Sequence, residues 1–403
     1  MQRGLALITV FAIVGCWGRS APKGPRDPAP GAVAALQAGK FAEAVQQADR
    51  TLAQDARSSR AAAVRAIAAY QLSGHELFRS LSEIIEQAER LDAFDHPGGR
   101  AAWQAFLTKL EAIDRDLAVA AADPGFSLEL CIACWEADWN HNGQVDDRDR
   151  RLFEIEFDGK EGDLPEGDPR RRPTFRFDVG DVVWARAMIA FQRAAGELVL
   201  AYKWSALDQL LASAAQQQPL VIRLTEPARV KRARELVIAG LDHADRCREA
   251  YLAEADDDRE WVPSPRQKSH PVPLEVDEAL FRTWAGVTGD VRKMLRSEEA
   301  LSLRELIGLA DDGAVALMPD AYIDLGRMLA EPKDIVIDVG GFSARGTPDQ
   351  ATIERLLRGV LGNGYQARMK PSPLVGRLRA MRDQLTRGED TFERKLRYLL
   401  WLN

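Results

Sequence analysis

A mostly α-helical fold is expected for this chain, with at most a few short strands. Three observations lead there. Apolar residues recur at three- and four-residue steps over much of the length. The stretch from Ala32 to Leu91 is alanine-rich with a helical period. Strand signals are scarce, the best being Asp334-Ile335-Val336-Ile337-Asp338-Val339, closed by Gly340-Gly341. The 403 residues suffice for two or three cores, and 46% apolar with 29% charged side chains describes a globular chain rather than a disordered one. A net charge of -7 excludes a generally basic nucleic-acid binder. Four cysteines exclude a disulfide-built scaffold. The long uncharged apolar run lies at the N-terminus alone, which excludes a polytopic membrane protein.

That N-terminal run follows Arg3 and extends from Leu5 to Val14, before Gly15 and Cys16. At about ten residues it is half the length a transmembrane helix needs and reads as a signal peptide, residues 1–15. Ile13-Val14-Gly15-Cys16 resembles the lipobox of bacterial lipoproteins. The resemblance implies that Cys16 is diacylated on sulfur and becomes the mature N-terminus, with the membrane as partner through that anchor. Each buried methylene contributes about 0.8 kcal/mol, so several acyl chains hold a protein on a bilayer durably. Trp17 rather than Asp follows the cysteine, which favours the outer membrane over inner-membrane retention. Residues 16–31 then carry Pro22, Pro25, Pro28 and Pro30 among glycines, the composition of an extended tether.

Residues 32–122 form the first helical region. Gly39, Phe41, Ala44 and Ala48 place a small residue at a tight turn, an aromatic two positions on, and alanines where two helices meet. This resembles the tetratricopeptide repeat, which implies an antiparallel helical hairpin. Tyr70, Leu72 and Gly74 restart the pattern in degenerate form, near the family period of about 34 residues. Pro97-Gly98-Gly99 reads as a break before a helix from Ala101 to Ala122, with Trp103, Phe106, Leu110, Ile113 and Leu117 on one face.

Residues 123–178 hold the chemistry. Asp138-Trp139-Asn140-His141-Asn142-Gly143-Gln144-Val145-Asp146-Asp147-Arg148-Asp149 fits the loop D-x-[DN]-x-[DN]-G. Calcium takes six to eight oxygens, and alternate side chains of a tight loop supply them. Asp138, Asn140 and Asn142 offer side-chain oxygens, Gln144 its carbonyl, and Asp146 and Asp149 the closing carboxylates. The loop resembles the EF-hand and, through Asp rather than Glu at its last position, the bacterial dockerin repeat. Leu152 and Phe153 supply the apolar residues of the exiting helix. The resemblance implies helix–loop–helix geometry and bound Ca2+. With three carboxylates, affinity is expected in the range of extracellular modules, about 10⁻⁴–10⁻³ M. An Asx-rich turn without metal is the plainer account. The acidic stretch from Asp158 to Asp168 reads as solvated loop and lacks ligand spacing.

Cys131 and Cys134 precede the loop. Trp135 in place of His excludes a c-type haem attachment. Zinc wants four ligands; Cys131, Cys134 and His141 give three, with Asp138 a poor fourth because the calcium reading already uses it. A redox dithiol and a structural pair on an incoming helix, as thiols or disulfide, remain open. Cys247 reads as a small buried hydrophobe.

Residues 179–255 are helical, over Val179–Leu211 and Pro227–Ala253. Residues 256–273, with Asp256-Asp257-Asp258, Trp261 and four prolines, read as a Pro-rich linker, or else as a carbohydrate-lining loop with Arg266 and His270. Residues 274–403 return to helix over 274–309, 373–385 and 391–402. From residue 351 onward 11 Lys/Arg stand against 5 Asp/Glu, a solvated basic face or a surface for anionic headgroups. Asp242, His243 and Asp245 read as surface ion pairs.

No catalytic residues are assigned. His-Glu-x-x-His, Gly-x-Ser-x-Gly and glycine-rich phosphate loops are absent from the sequence. The expected protein is a lipid-anchored envelope lipoprotein with a structural calcium site, acting as a binding or scaffold module for an envelope protein partner. An envelope hydrolase acting on cell-wall or polysaccharide material, using acidic residues near Trp261, is the alternative.

Overall fold

The computed structural model describes residues 29–91, 94–138, 144–147, 149, 154–155, 164–165, 167–210, 213, 216, 218–254, 259–267, 271, 276–308, 313–338, 340 and 348–385. Cys16, the tether up to residue 28 and the expected helix over 391–402 lie outside these.

Helices dominate, and each is placed by its own end signals. The first four are α1 (Pro30–Gln37), α2 (Phe41–Gln54), α3 (Ser59–Leu91) and α4 (His96–Ala121). Gly39 makes the α1–α2 turn at φ +69°, a conformation that costs an L side chain about 1–2 kcal/mol. Asp95 caps α4 by accepting from Gly98 N, so Pro97-Gly98-Gly99 is the first turn of the helix and the break lies ahead of it. Pro at a first turn loses no helical hydrogen bond. The repeat-like restart at Tyr70–Gly74 is not realised, because α3 runs unbroken through it. Gly74 keeps helical geometry there, and no strained φ or close contact demands a turn.

An antiparallel pair of β1 (Leu128–Leu130) and β2 (Phe175–Phe177) leads into α5 (Val179–Ala201). The expected extension of α5 to Leu211 fails at Tyr202. There Lys203 N donates to Arg223 O, and Trp204 Nε1 folds back onto Val199 O. Next come β3 (Leu220–Ile222) and α6 (Pro227–Ala253), with α7 (Glu278–Leu295) beyond residues 259–267. α7 ends earlier than its apolar period suggests. Ser297 turns left-handed at φ +59°, held by its Oγ donating to Asp324 Oδ1 at 2.6 Å.

The chain then makes β4 (Leu301–Ser302), α8 (Leu303–Ile307), β5 (Tyr322–Ile323) and α9 (Leu325–Ala330). It ends in β6 (Ile335–Ile337), α10 (Gln350–Leu361), β7 (Tyr365–Gln366) and α11 (Leu374–Leu385). β6 is the strand expected over 334–339 and pairs antiparallel with β3. β5 lies between β4 and β7.

From α1 to α7 each helix packs on the one before it, and α11 returns against α7. One main core runs through this stack, from Leu36, Phe41 and Val64 through Leu110, Ile113 and Leu200 to Phe281. Alanines 44, 48, 61 and 68 face inward with almost no exposure, so neighbouring helices approach closely.

Candidate functional site: a disulfide-led aspartate loop and a buried carboxylate cluster

The loop begins where β1 ends. Cys131 and Cys134 are disulfide-bonded, their Cα atoms 5.2 Å apart, around a 3₁₀ turn over Ile132–Cys134. The expected incoming α-helix is therefore absent. The alternation of Leu128 and Leu130 pairs this stretch with β2, and the disulfide then spans a single 3₁₀ turn. Trp135 is buried and meets the Phe41 ring edge-on at 5.3 Å between centroids. A Cβ on Gly39 would stand 3.1 Å from Glu136 N. Gly39 and Phe41, two of the four residues that suggested a repeat, thus serve as a seat for the approach to Asp138.

Of the expected calcium ligands, Asp138, Gln144, Asp146 and Asp149 are described. Asn140 and Asn142, and His141 of the zinc alternative, lie outside the described residues. Asp149 is 2% exposed, and its Oδ2 accepts from Asp146 N at 2.9 Å. Asp146 Oδ1 in turn accepts from Asp149 N at 3.3 Å. This reciprocal pair is a capping box. It sets the last two acidic positions of the loop at the start of a helical turn. Asp138 is not drawn into one carboxylate group with them.

Among the described residues, three acidic groups converge elsewhere. Carboxylate oxygens of Asp178, Glu254 and Glu260 lie within 4.8 Å of one another. Asp178 is the N-cap of α5, accepting from Gly180 N at 2.6 Å, while Asp181 Oδ2 accepts from Asp178 N at 3.0 Å. Asp181 is 3% exposed and its Oδ1 accepts from Tyr251 Oη at 2.8 Å. Glu254 ends α6, and Gln267 Nε2 donates to its Oε2 at 3.3 Å. Glu260 is 1% exposed and accepts from an Arg176 guanidinium nitrogen at 2.9 Å.

Burial, then the neighbouring Asp178 charge, pushes the Asp181 carboxyl well above the usual range. Burial also raises Glu254, to about 10, and a hydrogen bond to Asp178 adds to it. Burial raises Tyr251 and Cys247 likewise. Cys247 is a free, fully buried thiol.

The expected Pro-rich linker is a correction. Residues 260–264 are buried, and Trp261 meets the Phe175 ring at 4.6 Å between centroids. Prolines stiffen this segment, but its apolar Trp261-Val262 pair belongs to the core. At 2% exposure Trp261 has no face to offer a sugar ring. Sequence reasoning pointed to acidic residues near Trp261 without singling out Glu260, and missed Asp178, Asp181 and Glu254. The signal available was Asp178-x-x-Asp181, a capping box at the head of an apolar helical run.

A separate cleft of about 270 Å³ opens between α4, α5 and the start of α6. Arg229 bridges it, donating to Glu197 and Glu226 at 2.7 Å each and to Gln104 at 2.6 Å. Asp242 and Asp245 both pair with Arg292, as a surface network. No described helix is long and apolar enough to cross a membrane. Comparison of the chain with protein-family models, with curated proteins and with solved structures finds no match in any of the three.

Proposed function

We propose that this chain is an envelope lipoprotein, anchored through diacylated Cys16, whose helical body is a binding or scaffold module steadied by calcium. The observation that carries the reading is the junction at residues 131–149. A disulfide turn, seated on α2 through Trp135 and Phe41, leads straight to Asp138, and the half-buried Asp146 and buried Asp149 bond to each other's main chain. A disulfide with Cys134 exposed is at home in an oxidising compartment and short-lived in a reducing one. That location agrees with the lipobox, and millimolar divalent cation outside the cytoplasm suits a weak oxygen cage.

The donor set fits the ion: Asp138, Asn140, Asn142, Asp146 and Asp149 through side-chain oxygens and Gln144 through its carbonyl. Calcium supplies charge neutralisation there. Asp149 is buried and already organised by main-chain hydrogen bonding, so little ordering remains for that side chain. Asp138 would be the ligand supplied from the side of the N-terminal helices, linking them to the chain that follows when the ion is held.

Calorimetry of the mature protein tests this. For a dissociation constant of about 10⁻⁴–10⁻³ M, 10 mM calcium stabilises by about 1.4–2.7 kcal/mol, a rise in melting temperature of several degrees. Asp138→Ala is expected to abolish that rise while leaving the calcium-free melting temperature within about a degree. An unchanged wild-type melting temperature at 10 mM calcium would exclude the site. The alternative, an envelope hydrolase using acidic residues near Trp261, requires an open cleft beside that ring. The burial of Trp261 favours the scaffold reading.

A further inference from the structure

We propose that residues 259–267 form a proton-held strap, kept against the adjoining ends of α5 and α6 by a proton retained on Glu254 beside Asp178 and Glu260, and loosened as the medium turns alkaline.

The strap follows α6 in the sequence and lies beside β2. Arg176 N donates to Arg259 O at 2.9 Å, so the segment extends the β1–β2 pair along its edge. Trp261 and Val262 fill the core beside Phe175 and Phe177. Ser264 N donates to Gln267 Oε1 at 2.6 Å and Gln267 reaches Glu254, closing the strap on itself. Arg259 also pairs with Glu129 on β1.

The groups facing this junction come from four elements. α5 brings Asp178 and Asp181, α6 brings Tyr251, Cys247 and Glu254, the strap brings Glu260, and β2 brings Arg176. Among these groups the Arg176 guanidinium pairs with Glu260. Like charges within 5 Å in a partly dry site cannot all ionise together, so at neutral pH the cluster retains protons. The proton between Glu254 and Asp178 joins the end of α6 to the cap of α5. Its removal sets two carboxylates against each other at the point where the strap departs. The segment has other ties, through Arg176 and through Trp261, so loosening is local rather than a general unfolding.

Hydrogen exchange on the full mature protein reads this directly. Protection of the amides at 260–262, corrected for intrinsic exchange, is expected to fall at least tenfold between pH 6 and pH 8.5, with α3 unchanged. Glu254→Gln keeps a donor to Asp178 that never ionises, so its protection is expected to stay level over the same interval. Asp178→Asn, which retains a good N-cap, serves if Glu254→Gln does not fold. Equal wild-type protection at the two pH values overturns the proposal. So does a Glu254→Gln protein that loses protection as steeply as wild type.

Discussion

Gly39 shows how one residue couples two parts of the chain. Its left-handed backbone makes the α1–α2 turn, and its bare Cα lets the Glu136 backbone come close. Gly39→Ala adds both a strained φ and a methyl against that backbone, so a loss of about 1–2 kcal/mol is expected. Urea denaturation should show it as a lower midpoint with unchanged slope. Tyr251 is the comparable residue at the carboxylate cluster. Its hydroxyl donates to the buried Asp181, and Gly180 lies flat beneath its ring, where a Cβ would stand 2.9 Å from Cε1. Tyr251→Phe keeps the ring and removes the donor, which is expected to cost about 1–3 kcal/mol by leaving a buried acceptor short of a partner. Asp95 and Asp277, by contrast, cap their helices through neighbours three positions on, and their roles follow from local spacing alone.

At the scale of elements, the junction between α2 and the disulfide turn holds the approach to the loop in place. Phe41 is 5% exposed and is the aromatic partner of Trp135. Phe41→Ala is expected to lower stability by about 3–5 kcal/mol, from lost burial and the cavity left behind. Calorimetry with and without calcium then separates two effects, since the mutant should also show a smaller calcium-induced rise if the turn positions Asp138. The short strands are staples rather than a sheet. β1–β2 sets the disulfide turn beside α5, and β3–β6 ties residues before α6 to the chain after α9. Gly359 of α10 lies against the Val336 carbonyl of β6 so closely that no Cβ fits.

For the whole molecule, stability is distributed over one main core and two smaller clusters, around Leu241 and around Tyr365, and the carboxylate cluster makes that stability depend on pH. Glu254 and Asp181 hold protons in the folded state well above the range where an unfolded carboxyl releases them. Between about pH 4.5 and 10 the folded state therefore binds more protons than the unfolded one, and stability from this cluster falls as pH rises. Urea midpoints should decline from pH 6 to pH 9 in the wild type and decline less in Glu254→Gln. The proposed anchor is tested on the whole chain as well. Mass spectrometry of the mature N-terminus should find acylated Cys16, and Cys16→Ala should move the protein from the membrane to the soluble fraction.

Local spacing was enough for the helical class, the β6 strand, the start of α6 and the disulfide pair as one of three options for Cys131 and Cys134, because each rests on contacts between near neighbours in the chain. It misjudged the ends of α5 and α7, where Arg223 and Asp324 supply bonds from far along the sequence. It read Trp261 as part of a linker because prolines and acidic residues mark a solvated segment by composition. Burial there depends on Phe175 and Phe177 offering an apolar slot, and no local pattern records that. The meeting of Asp178, Glu254 and Glu260 lay furthest from view. Two helix ends and a strap arrive at one point only after α5 and α6 pack, and their choice of packing faces sums many weak contacts that no single motif encodes.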